Sequence, residues 1–137
     1  MGWNSWNSFG CGSKMTATHI EAIADKMVSS GLAAAGYTYV NLDDCWANEA
    51  RMSDGSITGS PAEFPSMKSL ASYVHSKGLK FGLYTSENNK TCAGRPGSYG
   101  YVPVAPFGFR NYGVALSMLT WSRDLLVLLH GLAVMQV

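Results

Sequence analysis

Between residues 18 and 84, helical periodicity and strand-like runs alternate twice, and few folds accommodate that pattern. Ile20, Ile23, Ala24, Met27 and Val28 recur at the spacing of one helix face. Thr18-His19-Ile20-Glu21 has the S/T-x-x-E form of a capping box, and Gly31 follows as a stop, so a helix is predicted over residues 18–30. Residues 37–42, "YTYVNL", are aromatic and β-branched and predict a strand. Then the cycle repeats. Met67, Leu70, Ala71 and Val74 stand at i, i+3, i+4 and i+7 between Pro65 and Gly78, and residues 79–84, "LKFGLY", read as another strand. Helices alternating with strands bury their apolar faces by layering, through right-handed crossovers. The expected class is therefore α/β with a parallel sheet.

The strand at 37–42 runs into "DDCW", placing Asp43 and Asp44 side by side in a chain with only 14% charged residues. In parallel α/β proteins, ligand chemistry collects at the C-terminal ends of strands. Successive strand side chains point to opposite faces, so both carboxylates can meet one ligand only where the strand ends and the backbone turns. Carboxylates there accept hydrogen bonds from hydroxyl groups, and the faces of Trp3, Trp6 and Trp46 suit the apolar side of a sugar ring. The combination suggests carbohydrate. Two other readings stand beside it. One is a plain cap or turn; the other is a divalent cation site, for which the nearby chain offers only Glu49 and Asp54. Asp54-Gly55 within "SDGS" suggests a hairpin turn.

Composition narrows the partners. Ten Lys plus Arg against nine Asp plus Glu give a formal charge of +1, with no basic run or acidic block, so neither nucleic acid nor a membrane surface is an expected partner. Cys11, Cys45 and Cys92 form no CxxC pair, which argues against zinc and favours one disulfide with a thiol left over. No basic-then-apolar leader opens the sequence, so no signal peptide is expected in it. Asn89-Lys90-Thr91 is a glycosylation sequon. After about residue 101 the character changes, and an apolar tail over residues 102–137 is set apart as a separate segment. Its run "LLVLLHGLAVMQV" is too short for a membrane span and reads as a buried helix or strand.

Four blocks in order, "MGWNSWNSFGC", "GLAAAGYTYVNLDDCW", "FPSMKSLASYVHSKGLKFGLYTS" and "NKTCAGRPGSYG", closely resemble the N-terminal part of the α-galactosidases of glycoside hydrolase family 27. The resemblance covers residues 1–101; the tail shows none. It implies the first part of a (β/α)8 TIM barrel, about three strands of it including one near residues 1–6. It further implies hydrolysis of terminal α-linked galactose with retention of configuration, without metal or other cofactor. Galactose-containing oligosaccharides or glycoconjugates would be the partners, and full-length relatives would be secreted, vacuolar or lysosomal. Carried onto this sequence, the resemblance makes Asp43 and Asp44 ligands of galactose hydroxyls, Trp6 a platform against the sugar, and Tyr84 and Cys92 further pocket residues. Cys11 and Cys45 match a family disulfide and Cys92 one half of another; the sequon, independently of the resemblance, makes Asn89 the expected glycosylation site.

One departure bears on chemistry. Retaining hydrolysis needs a nucleophile and an acid/base carboxylate about 5–5.5 Å apart. The family's nucleophile lies in a K-[YF]-D-x-C motif after the last matching block, whereas Asp124 is the only carboxylate after Tyr101 and lacks that setting. No catalytic residue is therefore assigned here, and a truncated, inactive form is expected. The alternatives are a non-catalytic galactose-binding fragment, an aberrant splice or gene-model product, and a related α-N-acetylgalactosaminidase specificity.

Overall fold

A computed structural model of the chain describes residues 1–101 and the strand at 115–118. Asp124 and the apolar run over 125–137 lie outside the described residues. The elements are β1 (Gly2–Asn4), α1 (Trp6–Phe9), α2 (Ala17–Ser29), β2 (Tyr39–Leu42), α3 (Met67–Ser76), β3 (Lys80–Thr85) and β4 (Ala115–Met118). They build one sheet in the order β1-β2-β3-β4, every neighbouring pair parallel. About three strands were expected and four are described. The fourth was invisible because "ALSM" contains no β-branched or aromatic residue. Its pairing, from Gly82 with Ala115 to Thr85 with Met118, covers the edge that β3 would otherwise expose.

Register divides the sheet into two faces. Trp3 pairs with Val40 and Val40 with Phe81, while Leu42 pairs with Leu83, which sets these apolar side chains on one face. Against it pack Ile20, Ala24 and Met27 of α2 and Leu70, Ala71 and Val74 of α3, all buried. The larger of these, Ile20, Met27, Leu70 and Val74, each contribute about 1.5–3 kcal/mol when fully buried, so this layer is what holds the unit together. The opposite face carries Asn4, Asn41 and Gly82 in one row, with Tyr84 one step further along β3. It is as polar as the first is apolar.

The start of α2 corrects the sequence-based cap. Thr16, not Thr18, is the N-cap: its backbone is extended at φ −135° and ψ 156°, and its hydroxyl oxygen accepts from the His19 N–H. Thr16 Oγ1 also lies 2.8 Å from His19 Nδ1, so a histidine ring stands where the capping box would put a glutamate. Helix α3 follows expectation. Ser66 caps it by accepting from the Ser69 N–H at 3.2 Å, and Gly78 leaves it at φ 75°. The turn at "SDGS" is present as well, with Asp54 Oδ1 accepting from the Ser56 N–H and Gly55 at φ 83°. Among the described residues no helix is long and apolar enough to cross a membrane.

Candidate functional site

Strand β2 ends at Leu42, and the next three residues turn over their own carboxylates. Asp43 Oδ1 accepts from the Asp44 N–H at 2.8 Å, and Asp44 Oδ1 accepts from the Cys45 N–H at 2.8 Å. Cys45 completes the turn at φ 74°, the one non-glycine residue with positive φ among those described. It is tied to Cys11 by a disulfide that closes 34 positions of sequence, so the expected pairing is present.

Two further segments fix the carboxylates. From the end of β1, the Asn4 side-chain amide donates to Asp43 Oδ2 at 2.9 Å, and the Ser5 hydroxyl accepts from the Asp43 N–H at 2.9 Å. From the loop after β3, the Thr91 hydroxyl donates to Asp44 Oδ1 and the Ala93 N–H to Asp44 Oδ2, both at 2.8 Å. Asp43 and Asp44 are 8% and 3% exposed, and the two ion pairs found among the described residues, Lys77–Asp25 and Arg95–Glu49, involve neither. Among the described residues, every side-chain or backbone donor to these two adjacent buried carboxylates is neutral. A fold gains little stability from such a pair, since burying a carboxylate without a cation costs several kcal/mol before its hydrogen bonds are counted. The arrangement points to a ligand.

Lone pairs remain for that ligand. A carboxylate offers about four acceptor positions, two on each oxygen. Asp44 Oδ1 is filled by Cys45 and Thr91, and Oδ2 holds one donor and has room for another. Each oxygen of Asp43 holds one donor and has room for a second. The set suits a molecule with several hydroxyl groups.

Tyr84, at the end of β3, stands beside this pair. Burial first, then the neighbouring Cys92 and Asp44, push its phenol up to about 12. Its hydroxyl is thus kept protonated, beside Cys92. The sequence-predicted Asp43, Asp44, Tyr84 and Cys92 therefore meet at the C-terminal ends of two adjacent strands.

Trp6 joins them through its backbone: its N–H donates to Asn4 Oδ1 at 2.8 Å, and Asn4 in turn holds Asp43. The indole stays substantially exposed at the start of α1. The other two tryptophans suggested as sugar platforms serve the core. Trp46 is buried and its indole N–H donates to the Tyr84 carbonyl at 2.7 Å, and Trp3 packs edge-on against Phe9 with ring centroids 5.6 Å apart. Glu49 and Asp54, the acids a cation site would have needed, turn to Arg95 and to the Ser56 N–H. Asn89 is exposed.

Sequence reasoning missed Asn4, Ser5, Thr91 and Ala93. Asn4 and Ser5 had a faint signal, being polar residues that interrupt an aromatic strand end. Thr91 was visible only as part of a sequon.

Parallel strands in sequential order, helices on the apolar face and polar groups gathered at the C-terminal strand ends define the class: this is the first part of a (β/α)8 barrel. The chain belongs to the family described as alpha galactosidase A, whose model matches residues 1–136 and so continues past position 101. The alpha-galactosidase A of Cellvibrio japonicus is 50% identical over 125 residues, which is 90% of this chain and 28% of that protein. The crystal structure of alpha-galactosidase I from Mortierella vinacea superposes with a TM-score of 0.83 at 37% identity, over 86% of this chain and 30% of that one. The Saccharomyces cerevisiae alpha-galactosidase solved with raffinose gives 0.81 at 37% identity, over 86% of this chain and 26% of that one. This chain thus spans under a third of the length of these relatives.

Proposed function

We propose that this chain supplies the sugar-holding portion of a retaining α-galactosidase that removes terminal α-linked galactose from oligosaccharides or glycoconjugates. Asp43 and Asp44 accept hydrogen bonds from the galactose hydroxyls through their remaining lone pairs. Tyr84, protonated and beside them, offers a phenol, Trp6 an exposed ring for the apolar face of the sugar, and Cys92 a surface next to Tyr84. The observation that carries this reading is the pair of adjacent buried carboxylates whose donors, among the described residues, are all neutral. Family membership and the raffinose complex of the yeast relative support galactose as the sugar.

Bond cleavage is assigned to other carboxylates. A nucleophile and an acid/base must stand on either side of the scissile bond, about 5–5.5 Å apart. Asp43 and Asp44 are consecutive residues at the end of one strand, and the Asp44 carboxylate already accepts from three donors, the Cys45 N–H, the Thr91 hydroxyl and the Ala93 N–H.

Titrating the 137-residue chain with galactose while recording tryptophan fluorescence tests the binding half. A saturable change is expected, weakened by Asp43→Asn. Absence of saturation up to tens of millimolar, or equal saturation with glucose, would reject it. The same titration with N-acetylgalactosamine discriminates the related specificity. Turnover of a chromogenic α-galactoside by this chain alone would reject the assignment of cleavage elsewhere.

A further inference from the structure

The loop after β3 contains one residue whose sequence role and structural role are different. Thr91 completes the sequon with Asn89, yet it is buried at 9% exposure and its hydroxyl is fully engaged. It accepts from the Arg95 N–H at 3.0 Å and donates to Asp44 Oδ1 at 2.8 Å. Two residues on, the Ala93 N–H reaches the other oxygen of the same carboxylate. The turn that presents both donors is closed by the Thr91 N–H on the Arg95 carbonyl and the Gly94 N–H on the Thr91 carbonyl, with Gly94 at φ 79°.

The base of the loop is equally constrained. Lys90 bridges to Pro96, and the Gly97 N–H bonds to the Asn89 carbonyl. A Cβ on Gly97 would sit 2.0 Å from the Asn88 carbonyl oxygen, so only glycine allows the two sides to close. Arg51, from the loop after β2, donates to the carbonyls of both Gly55 and Gly97, and Arg95 pairs with Glu49 at 3.1 Å. The loop is thus anchored on both sides of the turn that grips Asp44.

We infer that Thr91 is a positioning residue: with Ala93 it forms a two-point clamp that sets the Asp44 carboxylate for the sugar, independently of any glycan on Asn89. The inference rests on the proposed role of Asp44, but the clamp itself is open to a separate measurement.

Three variants of the full chain separate the roles. Thr91→Val keeps the shape and removes both the hydroxyl and the sequon; Thr91→Ser keeps both; Asn89→Gln removes the sequon alone. Amide hydrogen exchange of Ala93 and Cys45, the backbone donors to Asp44, is compared with that of Ile20 and Ala24 in α2. Thr91→Val should accelerate exchange at Ala93 and Cys45 about tenfold while leaving α2 unchanged, and Thr91→Ser and Asn89→Gln should match the parent. Unchanged exchange in Thr91→Val, acceleration of α2 to the same extent, or acceleration in Asn89→Gln would each overturn the clamp. Galactose affinity should fall about tenfold in Thr91→Val only. If the parent chain binds no galactose, the proposed function fails while the exchange comparison still decides the clamp.

Discussion

Asn4 and Asp43 lie 39 positions apart in sequence and are joined by a 2.9 Å hydrogen bond from Asn4 Nδ2 to Asp43 Oδ2, while Asn4 Oδ1 accepts from the Trp6 N–H at 2.8 Å. One short amide side chain thus links the carboxylate at the end of β2 to the segment that carries the exposed indole. A hydrogen bond to a charged group contributes about 1.5–3 kcal/mol. Asn4→Ala should therefore weaken galactose binding about tenfold or more. Asn4→Asp should do worse, because it sets a second carboxylate against Asp43. Isothermal titration of the two variants checks the order; equal affinity for both and the parent would show that Asn4 does not set Asp43.

Tyr84 predicts a signature at high pH. Its phenol is pushed up to about 12, chiefly by burial and then by Cys92 and Asp44, whereas an unfolded tyrosine ionises near 10. The folded chain therefore holds a proton that the unfolded chain releases. Stability from this group is fully present below about pH 10 and declines as pH rises through the folded value. Ultraviolet difference titration should show a tyrosine step at about pH 12, well above the ordinary phenol value. Tyr84→Phe should remove that late step and flatten the alkaline loss of stability.

The contact between α2 and α3 predicts the opposite dependence at low pH. Lys77 Nζ lies 2.6 Å from Asp25 Oδ1, and the Tyr73 hydroxyl donates to Asp25 Oδ2 at 2.8 Å. The bond from Lys77, followed by that from Tyr73, lowers the Asp25 pKa below the usual carboxylate value. This contribution is present above the unfolded value near 4 and disappears as pH falls through the lower folded value. The group is solvent-exposed, so the effect is small and screened by salt. Urea midpoints measured from pH 6 to pH 2 should fall less steeply for Asp25→Asn than for the parent at low ionic strength, and the two slopes should converge in high salt.

The layered α/β fold could be read in advance because its signals are local: α3 follows from one apolar stripe bracketed by a proline and a glycine, and β2 from a run of aromatic and β-branched residues. The doublet at the end of β2 was legible for the same reason, since it sits where strand chemistry stops. What escaped depended on partners distant in sequence. Whether Trp46 faces solvent or the core is decided by the Tyr84 carbonyl, 38 positions away, and sequence alone does not display that bond. Asn4 and Thr91 became visible as supports only when Asp43 and Asp44 were placed between them. The cap of α2 shows a subtler limit: Thr16 and Thr18 are chemically equivalent, and the choice between them rests on the extended backbone at Thr16. Strand β4 is recruited by the edge of β3, through backbone pairing to which its own side chains give no clue.

The Cys11–Cys45 bridge yields a prediction about both stability and the site. It closes 34 positions of sequence, and the chain-entropy estimate for a loop of that size is about 3 to 4 kcal/mol. The double variant Cys11→Ser/Cys45→Ser should lose about that much in urea denaturation, with little change in the parent's curve slope once reduced samples are compared with each other. Cys45 also holds a left-handed backbone, which a non-glycine residue adopts at a cost, and its N–H donates to Asp44. Releasing it from Cys11 lets that turn relax toward an ordinary conformation and withdraws a donor from the carboxylate. Galactose affinity should therefore fall in the double variant even at temperatures where it remains folded, as judged by circular dichroism. Oxidised parent and double variant with superimposable urea curves and equal affinities would show that the bridge governs neither the loop nor the turn.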